Sequence, residues 1–413
     1  MENLRRGNKA LIKDLNRALV LYQLRHNGPL SRTDIAKRTK LGLSTLTKIT
    51  DDLIVEGMIK EIGEGDSNGG RRPVYLEFNY SYGYVLGVKI EKDRMILALT
   101  DLRPEILEKS YINYPPGASA DQVIKELIKG VPALMKKHES LTGNWLGIGI
   151  AVSGLVDKKK GHLLFSTLLG WEETPFRQIL QEQFSVPVFI DNDVNTYTLA
   201  ELAHGCGKGN GNGFENFILV STGVGIGAGL VLDGKLFRGE FGGAGEIGHM
   251  VIYSEGNPCY CGRKGCLEAH AGERFIINQT KRLLIQEKDS SLYEKRSALT
   301  YADVLKAAQN GDYCARQAFF TAGRNLGVGL VNLINVMNPA TIVLAGEGLS
   351  GQEFLLSGIR EVLQTNFFAK CQKSFDLRIS TLGEDAWEKG AALLVINEHF
   401  REPIYRRQKT AQR

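Results

Sequence analysis

The sequence has no apolar run approaching the length of a membrane span, and its first residues lack the apolar core of a signal peptide. We therefore expect no membrane partner and no export. Cysteine is scarce as well, because six in 413 residues are too few for a disulfide scaffold and suit the reducing cytoplasm. A net charge of +5 is weak evidence for nucleic-acid binding by itself. The 43% hydrophobic and 23% charged shares are those of an ordinary globular protein, which we expect to be cytoplasmic.

The length and a change of pattern predict the domain organisation. A chain of 413 residues is long enough for two or three domains. Beyond residue 79, short apolar strands alternate with helical patterns, which is typical of α/β layers. We expect one domain at residues 1–79, a second at 80–400 whose two lobes divide near residue 200, and a basic tail at 401–413.

The first domain has the pattern of a helix-turn-helix. Apolar residues recur with helical spacing from Ala10 to Arg25, and an Asn-Gly-Pro stop follows at 27–29. Ser31 and Ser44 are each placed to cap a further helix, with a glycine-containing turn between the two helices. Helices and a turn at this spacing predict a DNA-binding unit.

A predicted wing follows the helices. Two alternating stretches, at 57–63 and 74–78, flank a glycine-rich loop with paired arginines. The third helix would face the major groove and the arginines a narrow minor groove. The side chains expected to contact DNA are Ser44, Thr45, Thr47, Lys48, Arg71 and Arg72. The alternative is a small helical protein-interaction module with a solvated, charged loop.

The strongest motif in the chain is a cluster of soft metal ligands, namely His249, Cys259, Cys261 and Cys266. Thiolates and imidazole are ligands that Zn²⁺ prefers, and a complete set of four leaves no position for a metal-bound water. Glycines at 262 and 265 let the backbone turn so that the thiolates converge. We therefore predict one structural zinc ion per chain. The alternative is three unrelated reduced cysteines beside a surface histidine.

The histidine, followed by Cys-x-Cys-Gly-x-x-Gly-Cys-x-Glu, resembles the signature of the ROK family, which groups sugar kinases with sugar-responsive repressors. The resemblance runs from about Tyr84 to Asn397. It implies an actin-like, ribonuclease-H-type α/β fold with two lobes, a cleft, and a C-terminal helix that returns to the first lobe. The first domain is similar to the N-terminal part of the repressor branch, which implies a winged helix-turn-helix.

The resemblance also implies a sugar site. The residues that match the family's sugar contacts are Asn192, Asp193, Glu246, His249 and Glu268. Asp193 matches the catalytic base of the kinases, and here we expect it to be a relic. Leu168 stands where the family usually has asparagine, so the ligand is expected to differ from the common one. Carboxylates accept hydrogen bonds from hydroxyls and repel phosphate, which favours a neutral sugar over a sugar phosphate.

The nucleotide side departs from the kinase pattern. Kinases of the family carry Asp-x-Gly-Gly-Thr after the first strand, but this chain has Lys89 in place of the aspartate and Glu91-Lys92-Asp93 in place of Gly-Gly-Thr. The glycine-rich run from Ser221 to Gly229 is either a phosphate-type loop or a tight turn where the lobes meet. Phosphoryl transfer depends on holding the phosphates, so we predict that the chain is not an enzyme.

These observations predict a transcriptional regulator, most simply a repressor of sugar-utilisation genes that a bound sugar releases from its operator. Its expected partners are double-stranded operator DNA, a sugar and a second copy of itself, as a homodimer or homotetramer, because dimers match palindromic sites. Two alternatives remain. One is an active ATP-dependent sugar kinase fused to a DNA-binding head, and the other is a regulator controlled by a protein partner.

Overall fold

The computed structural model of the chain describes residues 8–64, 72–138, 141, 143–206, 215–365 and 376–401. Arg71, one of the two predicted wing arginines, and the basic tail beyond Arg401 lie outside the described residues. Within the described part, no helix is both long enough and apolar enough to span a bilayer.

The N-terminal head, residues 8–78, contains the predicted helices and wing strands. Ser31 caps the second helix in a capping box with Asp34, as its position in the sequence predicts. The prediction for Ser44 was wrong, because the third helix begins at Leu43, so that Gly42 is the N-cap residue, and no side chain caps the helix. The elements are α1 Lys9–Asn27, β1 Leu30–Ser31, α2 Arg32–Thr39, α3 Leu43–Val55, β2 Ile59–Glu64 and β3 Val74–Phe78.

The first lobe is built on a mixed sheet whose strand order, in the described residues, is β11-β7-β4-β5-β6. A small antiparallel sheet, in the order β10-β9-β8, follows β7 in the chain. The strands are β4 Gly83–Ile90, β5 Arg94–Thr100, β6 Ile106–Asn113, β7 Asn144–Val152, β8 Leu155–Asp157, β9 His162–Ser166, β10 Trp171–Thr174 and β11 Val188–Asn192. The helices are α4 Ala120–Lys136, α5 Phe176–Phe184 and α6 Asp193–His204.

The second lobe repeats the plan with a sheet in the order β14-β13-β12-β15-β16. Its strands are β12 Phe217–Thr222, β13 Ile226–Leu232, β14 Lys235–Phe237, β15 Thr341–Ala345 and β16 Asp376–Ile379. Its helices are α7 Glu268–Ala271, α8 Glu273–Leu283, α9 Tyr301–Gln309, α10 Tyr313–Met337 and α11 Gln352–Thr365, and α12 Ala386–His399 follows. The predicted alternation of strands and helices in two lobes is confirmed.

The glycine-rich run from Ser221 to Gly229 is not one long loop. Residues 217–222 and 226–232 pair as an antiparallel hairpin, so only the turn at 223–225 is free of the ladder. Gly229 lies in the second strand, where a Cβ would fall 1.8 Å from the Thr198 hydroxyl of α6. This glycine therefore serves close packing between a strand and a helix.

Helix α12 returns to the first lobe and lies directly on its sheet. A Cβ at Gly87 of β4 would fall 2.2 Å from the carbonyl oxygen of Glu388, and one at Gly149 of β7 would fall 1.8 Å from that of Ala391. On its other side, a Cβ at Gly390 would fall 1.8 Å from the carbonyl oxygen of Thr196 in α6. These contacts between backbones leave no room for α12 to slide on the sheet or on α6.

The head shares its core with the first lobe. Leu24 of α1 and Phe78 of β3 belong to the same buried cluster as Ile396 of α12. The Arg25 guanidinium lies 4.4 Å from the centre of the Phe400 ring, just after α12. Burial lowers the pKa of Arg25 to about 10. The head is thus docked on α12, and no flexible tether separates the two.

Candidate functional site

A cleft of about 1780 Å³ lies between the lobes and is lined by strand ends from both. Two groups of side chains define its ends. The carboxylate end comprises the predicted sugar residues Asn192, Asp193, Glu246, His249 and Glu268. The lysine end comprises Lys89, Glu91, Glu347 and Trp387. The sequence-predicted residues of the cleft are therefore brought together from segments that are distant in the chain.

Asn192 and Asp193 stand where β11 ends and α6 begins. The Asn192 side chain caps α6 by accepting from the Asn195 N–H at 3.2 Å, and it donates to the Gly154 carbonyl at 3.1 Å. Asp193 accepts from the Val194 N–H at 2.9 Å. Burial raises the pKa of Asp193 to about 6, although that N–H and the positive charge of Lys89 oppose the shift.

Arg238 is a supporting residue that sequence analysis missed. It follows β14 in the second lobe, and its guanidinium contacts the buried Asp191 carboxylate at 2.7 Å and 2.6 Å. The other Asp191 oxygen accepts from the Asn195 side chain at 3.0 Å. The pair fixes the strand end that carries Asn192 and Asp193. No local motif marks Arg238, so only the folded chain reveals its partner.

Glu246 and Glu268 approach from the second lobe. Glu268 begins α7 and is 9% exposed, and its carboxylate accepts from the Ile226 N–H at 2.9 Å. The turn at 223–225, predicted as a possible phosphate loop, therefore already has a carboxylate beside it. Burial and the neighbouring Glu268 raise the pKa of Glu246. Hydroxyl groups fit such acceptors better than anions do.

Four of the side chains behind the carboxylate end could hold a metal ion. The ligand atoms of His249, Cys259, Cys261 and Cys266 all lie within 4.8 Å of one another. Cys259 Sγ lies 3.6 Å from His249 Nδ1, and Cys261 Sγ lies 3.6 Å from Cys266 Sγ. Bonds of about 2.3 Å to a tetrahedral ion place ligands about 3.7 Å apart, so the spacing fits a tetrahedral metal.

A glycine allows close packing in the segment that carries the four metal ligands, residues 249–266, which we call the metal loop. Gly265 has a φ of +76°, and a Cβ there would fall 1.5 Å from the carbonyl oxygen of Tyr253. Any side chain at this position would clash with the backbone of Tyr253, so this packing of the loop requires glycine next to Cys266. The sequence predicts glycine here because the backbone must turn so that the thiolates converge. The positive φ and the close contact are the physical reasons for that requirement.

The lysine end holds an ion pair that bridges the lobes. Lys89 Nζ, at the end of β4, lies 2.9 Å from Glu91 and 3.0 Å from Glu347, which follows β15 in the second lobe. It also lies 4.4 Å from the centre of the Trp387 ring. Burial lowers the pKa of Lys89, but the two carboxylates outweigh it and the net pKa is raised. The side chain is 9% exposed and charged, so it places a buried positive charge at this end of the cleft.

The predicted DNA-contacting residues lie on the head, away from the cleft. Ser44, Thr45 and Lys48 are exposed on α3, whereas Thr47 is half-buried and donates its hydroxyl to the Leu43 carbonyl at 2.9 Å. Arg72 is exposed just before β3. The surface of α3 and the base of the wing are thus free to meet a duplex.

Comparison with known proteins shows relatives of the same length. The ROK family model matches residues 85–398. The xylose repressor of Caldicellulosiruptor bescii is 33% identical over 402 residues, covering 97% of this chain and all of that protein. The Escherichia coli DNA-binding transcriptional dual regulator NagC is 31% identical over 363 residues, covering 87% of each chain.

Solved structures give the same result. A ROK family transcriptional regulator, a homologue of the E. coli Mlc protein, superposes with a TM-score of 0.83 at 27% identity, covering 96% of this chain and 98% of its own. A ROK glucokinase from Streptomyces griseus, solved with glucose and AMPPNP, gives a TM-score of 0.65 at 25% identity. It covers 99% of its own chain but 76% of this one. By the extent of these matches, the chain belongs to the ROK family.

Proposed function

We propose that the chain is a sugar-responsive transcriptional repressor that binds operator DNA through its head and is released when a neutral sugar enters the cleft. The observation that carries this proposal is the cross-lobe ion pair of Lys89 and Glu347, which lies at the end of β4, where the kinases of the family carry Asp-x-Gly-Gly-Thr. A cleft that offers acceptors to sugar hydroxyls and sets carboxylates against nucleotide phosphates would sense a sugar without phosphorylating it.

The carboxylate end supplies the sugar contacts. Asp193, Glu246 and Glu268 accept hydrogen bonds from hydroxyls, and such charge-assisted bonds are stronger than neutral ones. The same carboxylates repel a phosphate at short range, which favours a neutral pentose or hexose. Leu168 is 43% exposed on the cleft wall, where the family usually has asparagine, so one polar contact with the sugar is replaced by an apolar one.

A zinc ion suits the donor set of the metal loop. His249, Cys259, Cys261 and Cys266 would hold it, and four protein ligands leave no position for an activated water. When bound, the ion supplies structure alone. It would fix the His249 ring and the segment leading to Glu268, so that both side chains meet the sugar in one geometry.

The chain's residues at the lysine end oppose kinase activity. A bound nucleotide would have to displace the Lys89 side chain from Glu91, Glu347 and the Trp387 ring. Two carboxylates would then face its phosphates. Asp193 could still accept a proton from a sugar hydroxyl, but no phosphoryl donor would be held beside it.

Helices α6 and α12 offer a route from the cleft to the head. Helix α6 begins at Asp193, inside the cleft, and packs against α12 at Gly390 without room for a side chain. Helix α12 in turn ends beside Phe400, on which Arg25 of the head lies. A sugar that draws the lobes together at Asp193 would therefore move α6, α12 and the head as one block.

The response requires paired heads. A single winged helix reads too few bases for specific binding in a genome, and a dimer reads a palindrome. We propose a homodimer or homotetramer in the cytoplasm, where a rotation of each head against its partner breaks the fit to the two half-sites.

The proposal can be tested with the full-length protein. Duplexes that it binds are selected from a random-sequence pool, and neutral sugars, sugar phosphates and ATP are then titrated into the complex. We expect a neutral sugar to release the DNA and no sugar phosphate to form when ATP is present. Release by no sugar would favour a protein partner as the controlling signal. Sugar-dependent consumption of ATP at about 1 s⁻¹ or faster would identify a working kinase.

A further inference from the structure

Tyr260 lies between two metal-loop cysteines and points into the carboxylate end of the cleft. Its ring meets the His249 ring edge-on, with centroids 5.3 Å apart and an interplanar angle of 85°. Its hydroxyl lies 3.3 Å from His249 Nε2. The residue is 54% exposed and lines the same cavity as Glu268.

The direction of these hydrogen bonds follows from the histidine. His249 Nδ1 faces the Cys259 thiol at 3.6 Å, so its Nε2 carries the ring proton when the cluster is assembled. The Nε2–H then donates to the Tyr260 oxygen, and the Tyr260 hydroxyl is left to donate in turn. Its neighbour in that direction is the Glu268 carboxylate, which lines the same cavity and is coupled electrostatically to the phenol.

The two partners of the phenol are both assigned to the sugar. A sugar hydroxyl at that point would accept from His249 and donate to Glu268 in place of the phenol. We propose that Tyr260 is a specificity-determining residue whose hydroxyl occupies a sugar-hydroxyl position between His249 and Glu268, so that a sugar binds there only by displacing it. This inference rests on the proposed function, because it concerns the ligand of the same site.

The position of Tyr260 allows this displacement. Half of the side chain is already in solvent, and rotation away from His249 would carry the ring further out of the cleft. Tyr253, in the same loop, differs in this respect, because its hydroxyl donates at 3.0 Å to Asn325 of α10 and its ring packs on His270. The metal loop therefore has one tyrosine, Tyr253, that is hydrogen-bonded to the second lobe, and one, Tyr260, that faces the cavity.

Displacement selects among sugars. A sugar with a hydroxyl in the right place restores both hydrogen bonds that the phenol gives up. A deoxy sugar that lacks this hydroxyl displaces the phenol without replacing its bonds, and Glu268 then keeps only its hydrogen bond from the Ile226 N–H. The phenol thus raises the concentration at which any sugar binds. The increase is largest for sugars that lack the hydroxyl.

The test measures binding of a panel of neutral pentoses, hexoses and N-acetyl sugars, with their monodeoxy analogues, to the full-length protein by calorimetry. Tyr260→Phe keeps the ring and removes the competing hydroxyl, Tyr260→Ala removes both, and Tyr253→Phe is the matched control. We expect Tyr260→Phe and Tyr260→Ala to bind the preferred sugar about tenfold more tightly and to discriminate less against its deoxy analogues. Tyr253→Phe should bind like the parent.

Weaker binding by Tyr260→Phe would show that the hydroxyl is a direct sugar contact, and unchanged binding by Tyr260→Phe with weaker binding by Tyr260→Ala would show a stacking surface. Either result overturns the inference while leaving the proposed function intact. If neither the parent nor any variant binds a sugar, with metal content equal in all four proteins, the proposed function itself fails. Binding only after Tyr260 is changed would support the inference strongly.

Discussion

The two ends of the cleft both carry carboxylates, but the carboxylates have different partners. At the carboxylate end, Glu268 is anchored by one backbone N–H and still lines the cavity. At the lysine end, Lys89 and Glu347 neutralise each other across the lobes. The carboxylates of one end thus keep acceptor oxygens beside the cavity, whereas those of the other end are paired with a lysine of the chain itself.

Under the proposed function, this difference would separate sensing from catalysis within a shared fold. The sheets, the strand ends and the glycine hairpin are all present in this chain. At the end of β4, Lys89 pairs with Glu91 and Glu347, and we propose that these carboxylates repel nucleotide phosphates.

The largest expected effect comes from removing the support of the carboxylate end. Cys261→Ser should abolish stoichiometric metal binding and destabilise the second lobe by several kcal/mol, because binding of a structural zinc supplies roughly 10–16 kcal/mol that the variant would lose in part. Metal content and thermal unfolding measure this. Cys206→Ser, a half-buried cysteine outside the cluster, is the matched control and should retain the metal. Sugar-induced release of DNA by metal-free Cys261→Ser would contradict the supporting role of the metal loop.

The next effect sharpens the comparison at the ligand itself. Asp193→Asn and Glu268→Gln should each weaken sugar binding by about tenfold to a hundredfold, because each removes the charge from a hydrogen bond. DNA affinity without sugar should stay close to that of the parent. Calorimetry and a DNA-binding assay check the two halves of this prediction. Glu255→Gln, exposed on the metal loop, is the control and should change neither. A change in DNA affinity of the same size would place these residues in the fold rather than in the ligand site.

A smaller effect links the two ends through charge. The pKa of Asp193 is about 6, above its ordinary value of 3.8. Protonated Asp193 therefore stabilises the fold most below about pH 4, and this contribution is lost as the pH rises through about 6. Sugar affinity should rise over the same interval, because the ionised carboxylate is the better acceptor.

The lysine end sets where that interval falls. Lys89 lowers the pKa of Asp193, so Lys89→Met should move the rise in sugar affinity to higher pH. Asp193→Asn should remove the pH dependence at this step. Sugar titrations between about pH 5 and about pH 8 measure the midpoint for each variant. An unmoved midpoint in Lys89→Met would mean that the ends of the cleft are electrically independent.

The smallest effect concerns the head, which neither end of the cleft touches. Arg72→Ala with Arg71→Ala should weaken DNA binding severalfold and reduce the salt slope of the affinity by about two, one for each lost cation. Sugar affinity should not change. Lys129→Ala, an exposed lysine on α4, is the control and should keep the parent's slope. Equal slopes in the double variant and the parent would remove the wing from the DNA interface.

Local patterns in the sequence predicted the features that depend on neighbours in the chain. The Ser31 capping box and the metal-ligand spacing both involve residues a few positions apart, so their chemistry can be read directly. Ser44 was wrongly predicted as an N-cap residue, because α3 begins earlier and has Gly42 at its N-cap position. The resemblance to the family, and not composition or periodicity, supplied the cleft residues. Whether those residues contact a sugar stays a prediction.

Features that depend on closure of the fold could not be predicted. Arg238 finds Asp191 only because two lobes meet, and Lys89 finds Glu347 across a separation of 258 positions. The strand that contains Gly227 and Gly229 looked like a loop because glycine has low strand propensity, yet packing against α6 requires glycine there. Tyr260 could not be predicted from the motif, because it occupies the variable position between two cysteines and is not a metal ligand.

The docking of the head on α12 has a consequence for recombination. A head joined by a loose linker could be exchanged between repressors by cutting at residue 79, but here such a cut would divide one hydrophobic core. Leu146 and Ile396 of the remaining chain would be exposed, and Arg25 of a foreign head would have to find Phe400. A working chimera should therefore take α1 and the C-terminal half of α12 from the same parent. The head and the helix against which it packs would have to be transferred together.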